Sequence, residues 1–415
     1  MSRVLTPTDA HALMNQLVNQ ATGQQSITVV DTSTFVSAGE TVLATGVENT
    51  INSLGLIIGR TLMSVRPYKA KLAIINALNS GAYSNRIRKI SYYARENEAS
   101  GDWNTQLKTN LGMGLDNGVN TNATKSMWEQ NQPVALEMNF GGSNVWETST
   151  TIYQDQLKEA FESEANFNTF VSGIMTEKAN DIESTKEAYN RMTVLNHMAG
   201  VYDLTASMPG SAVDMVKAFN DFYGTSYTGA ELRSTHLSEF LAFFVAKFKL
   251  DSDYMTERSS KYHWSPKKTV NGTNYTLLRH TPKDKQRCML YAPFFTVAKA
   301  SVYPEIFNTQ YLDMDKQFEA VNFWQSIDTP EAINITPAIP DVTLAGGQTA
   351  GDAVSLKYVL GCLFDEDALM VDYQIESAES TPLEARKRYR NLWWTFKKNS
   401  INDFTENFIL YYMAS

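Results

Sequence analysis

Nine side chains, Phe167, Phe170, Val171, Ile174, Ile182, Tyr189, Met192, Leu195 and Ala199, recur at helical spacing, while Glu177, Asp181, Glu183, Lys186, Glu187 and Arg191 decorate the remaining faces. That period predicts one amphipathic helix from Phe167 to Ala199. Its 33 residues would span about 50 Å at a rise of about 1.5 Å per residue. Asn166 is placed to cap the start and Gly200 the end, and the Glu187/Arg191 pair has the favourable order. No other feature constrains the chain as strongly as this rod.

Ahead of it, residues 10–61 mix Gln, Thr, Ser and Gly with weakly apolar residues and hold no sustained period except a helix around Glu48–Ile58. That pattern predicts an arm rather than part of a core. From Tyr83 to Tyr93 the chain turns β-prone and basic, and Glu96–Pro133 is a Gly- and Asn-rich, turn-dense stretch carrying Trp103 and Trp128. A loop well beyond about 15 residues is usually functional or a linker, and large aromatics on it need a covering surface. Two β-prone runs, Val134–Phe140 and Val145–Tyr153, flank Gly141 and Gly142 and predict one long hairpin that carries Trp146.

Beyond the rod, Ser211–Asp251 is helical again, with Phe240, Leu241, Phe243, Phe244 and Phe248 on its apolar face, and Lys261–Thr281 is basic and loop-like. Strand signals at Met289–Phe295, Val321–Ile327, Val354–Phe364 and Ala368–Gln374 then alternate with helical pieces and a Pro-marked stretch, Thr329–Pro340. Tyr389–Lys398 and Asn407–Met413 complete the chain as two aromatic strands about a turn at Asn399–Asp403. The fold class expected is α+β.

With 43% hydrophobic and 20% charged residues the chain is of globular composition. A net charge of −9 excludes a surface that grips nucleic acid all over, though not local basic patches. Cys288 and Cys362 alone build neither a disulfide framework nor a zinc site, and their strand-like apolar surroundings suit inert packing. No leader-like start or apolar run of membrane-spanning length is present, so synthesis in a cytoplasm is expected. Gly112-x-Gly114 and Gly346-Gly347 lack the lysine of a phosphate loop, and His11, His197, His236, His263 and His280 never pair at metal-binding spacing. Asp365-Glu366-Asp367 reads as a solvated turn, and no nucleophile elbow occurs. No catalytic residue, cofactor site or metal site is assigned, and an enzyme is not expected.

One cluster does suit nucleic acid. Arg386, Lys387, Arg388, Arg390, Lys397 and Lys398 interleave with Tyr389, Trp393, Trp394 and Phe396. The same pattern also fits a solvated strand face, or one paired with acids of a partner chain.

The order of arm, hairpin-like loop, spine helix, mixed module and terminal strands resembles the Hong Kong ninety-seven phage capsid fold. Local motifs narrow the likeness. Asp155-Gln156-Leu157-Lys158-Glu159-Ala160-Phe161, then Asn166-Phe167-x-x-Phe170-Val171-x-x-Ile174 with Glu187-Ala188-Tyr189 and Leu195, resembles the start of the spine helix in short-tailed phage major capsid proteins of the phi29 and crAss-like sort. Leu363-Phe364-Asp365-Glu366-Asp367-Ala368-Leu369-Met370-Val371, Asn391-Leu392-Trp393-Trp394-Thr395 and Phe408-Ile409-Leu410-Tyr411 look like that family's late strand, turn and terminal aromatic strands. The resemblance covers roughly the second half of the chain and the organisation of the first. It departs at insertions around 101–133 and 205–283.

This resemblance implies an N-arm (1–66), an extended-loop region (67–153), a peripheral domain with the spine (154–204 and 373–415) and an axial domain (205–372). It implies a major capsid protein that self-assembles, as hexamers and pentamers, into the icosahedral head of a tailed phage. Portal, scaffolding and decoration or minor head proteins are the expected partners, with packaged double-stranded DNA on the inner face, no membrane, and residence in the virion. Trp103, Trp128 and Trp146 become candidate inter-subunit contacts, and the basic cluster a DNA-facing or inter-subunit patch. Covalent cross-linking between subunits is not carried over, because no lysine or asparagine here has a matching motif.

Two alternatives stand beside it. An encapsulin-type nanocompartment shell has the same fold. A carbohydrate-active enzyme would use the seven tryptophans, twenty tyrosines and many carboxylates, and would bury the three named tryptophans around one cleft. The shell reading expects Tyr83–Thr151 to project instead and to expose apolar area.

Overall fold

The computed structural model describes residues 7–24, 27–64, 76–78, 86–95, 133–141, 144–266, 268–270, 273–294, 318–341 and 348–414. Three helices, Pro7–Thr22, Thr32–Ala44 and Val47–Ser64, stand where the sequence predicts an arm. The second starts on a reciprocal cap: the Asp31 carboxylate accepts from the Thr34 amide at 2.8 Å, and Thr34 Oγ1 accepts from the Asp31 amide at 3.0 Å. Met14, Leu17, Val18, Phe35, Val42, Ile51 and Leu54 are all buried. Small residues on the same faces disguise the period. Thr50 and Ser53 are buried, a Cβ on Gly39 would lie 3.2 Å from Phe161, and one on Gly55 would lie 2.6 Å from Leu392. What reads as low-complexity arm is therefore close helix packing.

The spine helix runs from Glu164 to Asp203, 40 residues, or about 60 Å. Its expected ends are corrected. Ser163 is the N-cap, accepting from the Asn166 amide at 3.2 Å, so Asn166 lies in the first turn. Gly200 is likewise internal. Phe167, Val171, Ile174 and Ile182 share one core with the N-terminal helices and with Leu392, Trp394 and Phe396. Val194, Leu195, Met198, Ala199 and Val201 share a second core with the larger sheet. One rod thus threads two cores.

Each core rests on a sheet. The first sheet has the order Asn76–Leu78, Leu369–Ser380, Tyr389–Asn402, Asn144–Tyr153, with only the first pair parallel. The second has the order Phe318–Val321, Gln286–Tyr291, Val359–Asp365, Phe408–Tyr412, Ala212–Asp214. Its outer pairs are parallel and its inner pairs antiparallel. Val359–Asp365, the middle strand, is buried at every position, the pattern of a strand covered on both faces. The two aromatic terminal strands, grouped together on sequence, part company: Tyr389–Asn402 belongs to the first sheet and Phe408–Tyr412 to the second.

The predicted hairpin is also corrected. Ala135–Gly141 pairs with Arg86–Tyr92, whereas Asn144–Tyr153 pairs with Tyr389–Lys398. β-Prone residues make a strand but do not choose its partner, and Gly141 and Asn144 end and begin strands of different sheets. The expanded segment 205–283 is core rather than ornament. It carries the helices Met215–Tyr223, Gly229–Arg233 and Leu237–Thr256. Phe244 and Phe248 of the last each lie 5.6 Å from the Tyr411 ring in the second sheet. Lys261–Thr281, expected as loop, carries the paired strands Lys268–Val270 and Thr273–Thr276.

Candidate assembly surfaces

The two-stranded ribbon Arg86–Tyr92/Ala135–Gly141 forms a sheet of its own. Ile90 is 49% and Tyr92 66% exposed, so the ribbon offers apolar area to solvent. Its root is fastened. Met138 and Phe140 pack on buried Ile401. The Lys89 ammonium pairs with both Asp403 and Glu406 in the turn before the last strand. Arg279 joins them, 3.4 Å from Glu406 Oε1, and donates to Ser91 Oγ at 2.6 Å and to the Thr405 carbonyl at 3.1 Å. Burial opposes the Lys89 charge, but the two carboxylates outweigh it and raise its pKa; burial likewise raises that of Glu406 against the pull of Lys89 and Arg279.

The basic cluster divides along its strand. Over Tyr389–Lys398 alternate residues point inward, and Arg390, Leu392, Trp394, Phe396 and Lys398 are the buried set. Lys398 has 1% exposure. Its ammonium sits 3.7 Å from the Tyr189 ring centroid, and burial lowers its pKa to about 8. Arg390 donates to the Thr381 carbonyl at 3.1 Å and lies 3.3 Å from Glu48. Neither is available to DNA, which corrects the sequence reading for these two. Lys397 is half-buried. Arg386, Lys387 and Arg388 are exposed in the turn that opens the strand, and Arg388 (φ 54°) is held 3.6 Å from Asp155. Exposed Arg386 and Arg388 share the parity of buried Arg390, Trp394 and Lys398, so parity alone does not separate them; what does is that 386–388 precede the strand, which begins at Tyr389.

Trp146 is half-buried, its ring stacked on Phe396 of its own chain at 4.3 Å and 16°. Trp103 and Trp128 lie outside the described residues. Asp365, expected in a solvated turn, is buried, accepts from Thr281 Oγ1 at 2.7 Å and has its pKa raised by desolvation. Glu366 beside it pairs with Lys285 and Arg287. Both cysteines are buried free thiols whose pKa values burial pushes up.

Among the described residues no group of three or more His, Cys, Asp or Glu is arranged to hold a metal ion, and no helix is long and apolar enough to cross a membrane. A search of curated proteins returned no significant match. Solved structures similar to this chain include the capsid of Staphylococcus phage Andhra, at 10% identity over 82% of this chain and 83% of that one, TM-score 0.48. The capsid of an empty GTA particle is similar at 10% identity over 87% and 99%, TM-score 0.38. A structure of Mycobacterium phage Che8 is similar at 6% identity over 83% and 91%, TM-score 0.37. The model of the Phi29-like phage major capsid proteins matches from residue 113 to residue 412, well over half of the 415 residues, and the chain belongs to that family.

Proposed function

We propose that this major capsid protein assembles with copies of itself, as hexamers and pentamers, into the icosahedral head of a short-tailed, crAss-like phage and encloses double-stranded DNA. The observation that carries the reading is the family match over residues 113–412, which favours a phage head over an encapsulin. The ribbon's exposed face supports it, since bare Ile90 and Tyr92 gain by lying on a neighbour. Obligate interfaces of this kind bury about 2,000–5,000 Å².

Synthesis takes place in the host cytoplasm. Portal, scaffolding and decoration or minor head proteins complete the head. The N-terminal helices, the first sheet and the first half of the spine form the peripheral domain, and the second sheet with the helices of 215–256 forms the axial one. Arg386, Lys387 and Arg388 face DNA or an adjacent subunit, and Trp103 and Trp128 anchor subunit contacts. Negative-stain microscopy of the expressed full chain tests the assembly. Closed shells of uniform diameter are expected, and a chain that stays monomeric at every concentration and salt would overturn the proposal.

A further inference from the structure

At the edge of the second sheet, where Ala212–Asp214 is the outermost strand, lies a cleft of about 350 Å³. Two of the lysines lining it are already neutralised. Lys217 pairs with Asp221 at 2.6 Å, and Lys247 pairs with Asp251, which also accepts from the Tyr411 hydroxyl at 3.1 Å. Asp214 is engaged too, accepting from the amides of Val216 at 3.0 Å and Ala414 at 3.2 Å.

Two adjacent residues of the lining are not satisfied in this way. Tyr262 is 2% exposed, and its buried hydroxyl has no hydrogen-bond partner. Such an orphan costs about 1–3 kcal/mol, and so calls for an acceptor. The Lys261 ammonium has no carboxylate within 4 Å among the described residues; it lies 5.1 Å and 5.8 Å from the ring centroids of Tyr262 and Tyr254. Its position is built. The Gly210 amide donates to the Lys261 carbonyl at 3.3 Å, and a Cβ on Gly210 would stand 2.6 Å from Lys261 Cγ.

We propose that this cleft is a carboxylate site, which takes an acidic side chain of a protein partner between the Tyr262 hydroxyl and the Lys261 ammonium. A carboxylate supplies the acceptor that Tyr262 lacks and the single negative charge that Lys261 lacks. A phosphate dianion is disfavoured, because Lys261 is the one lysine of the lining with no carboxylate beside it among the described residues, and balances a single negative charge.

Equilibrium dialysis of the full chain, in whatever assembly it forms, against acetyl-Gly-Glu-Gly-amide tests this. Saturable binding is expected, with the Gln peptide weaker by about tenfold or more, the scale of one charge-assisted hydrogen bond. Lys261→Met and Tyr262→Phe each lose binding by a similar factor. Gly210→Ala does so as well, by displacing Lys261, while its melting temperature marks the chain as folded. Sodium acetate that competes as well as the peptide supports the same site with free carboxylates as a source. Absent saturation, equal binding of the Gln peptide, undiminished binding by the variants, or tighter binding of inorganic phosphate would each overturn the proposal.

Discussion

The indole Nε1–H of Trp394 donates to the backbone carbonyl of Gly55 at 3.0 Å, joining the third helix to the middle of the first sheet. A detachable arm would make no such bond. Removing residues 1–64 uncovers Phe161, Phe167, Leu392 and Trp394, each worth about 1.5–3 kcal/mol of burial. Four such losses rival the roughly 5–15 kcal/mol that holds a domain together. The truncated chain is expected to lose its cooperative melt by circular dichroism, and Trp394→Phe alone to cost about 0.5–1.5 kcal/mol for the lost bond, since the Gly55 carbonyl lies within the helix and keeps its helical donor. A truncated chain that melts like the full one would restore the arm.

Lys89 holds the ribbon to two carboxylates, of which Asp403 has a fully buried side chain. Removing one partner of a buried pair costs about 3–5 kcal/mol, because the remaining charge is stranded; Lys89 is itself a quarter exposed, which places Lys89→Met near the lower end. Glu406 keeps Arg279, so Asp403 is the carboxylate left stranded; adding Asp403→Asn removes that charge, and the double variant should unfold at a higher denaturant concentration than the single one. Additive losses in that cycle would show that Lys89 and Asp403 are not coupled.

His197 is enclosed between Phe404 and Phe408, both ring centroids 4.4 Å away, and neither ring nitrogen has a hydrogen-bond partner. Burial lowers its pKa to about 3, against weaker opposing pulls from Asp403 and Asn402. The folded state therefore binds fewer protons than the unfolded state, whose histidine titrates at the ordinary 6.5. The stability from a neutral His197 is intact above pH 6.5 and drains away as pH falls toward 3, on the order of several kcal/mol in all. His197→Leu should flatten the melting temperature over that range, and an unchanged slope would remove His197 as its source.

Lys398 gives a slope of the same sign in a higher pH window. Its folded pKa of about 8 lies below the ordinary 10.5, so stability rises with pH between those values. Lys398→Met should melt higher than wild type at pH 7, the difference shrinking toward pH 10.5, with DNA retention by filled shells unchanged. Replacing Arg386 and Lys387 by Gln, by contrast, should alter the salt dependence of that retention. Loss of DNA on Lys398→Met would return this residue to the contact surface.

These residues also show what was legible beforehand. The spine declared itself because large apolar residues from Phe167 to Ala199 mark one face at helical spacing, and a local period needs no knowledge of what covers it. The N-terminal helices hid because Gly39, Thr50, Ser53 and Gly55 occupy buried positions, where smallness permits close approach and mimics a polar linker. Strand pairing was not legible at all. Asn144–Tyr153 finds its partner some 240 positions downstream, as Thr151 and Asn391 show, and alternation within a strand carries no address. The inward parity of Arg390 and Lys398 was present in the sequence, but charge obscured it.

Gly200 separates two accounts of the spine. As a left-handed cap it would lose about 1 kcal/mol to alanine through backbone strain, with no dependence on Phe404, whereas in an open helix interior alanine would stabilise by about 1 kcal/mol, since glycine is the poorer helix former. The structure places it inside Glu164–Asp203, where an added Cβ would lie 2.5 Å from Phe404 Cζ and 2.6 Å from Cε1. Phe404 is itself buried, stacked at 6° on His197, so its ring cannot retreat without pushing on the helix turn that carries the histidine. Overpacking of this kind costs about 1–3 kcal/mol, enough to cancel the propensity gain. Gly200→Ala is therefore expected to lower stability in chemical denaturation, and Phe404→Leu, which shortens the obstructing ring, to reduce the penalty when combined with it. A stabilised Gly200→Ala variant would mean that spine and second core are less tightly joined here than this contact requires.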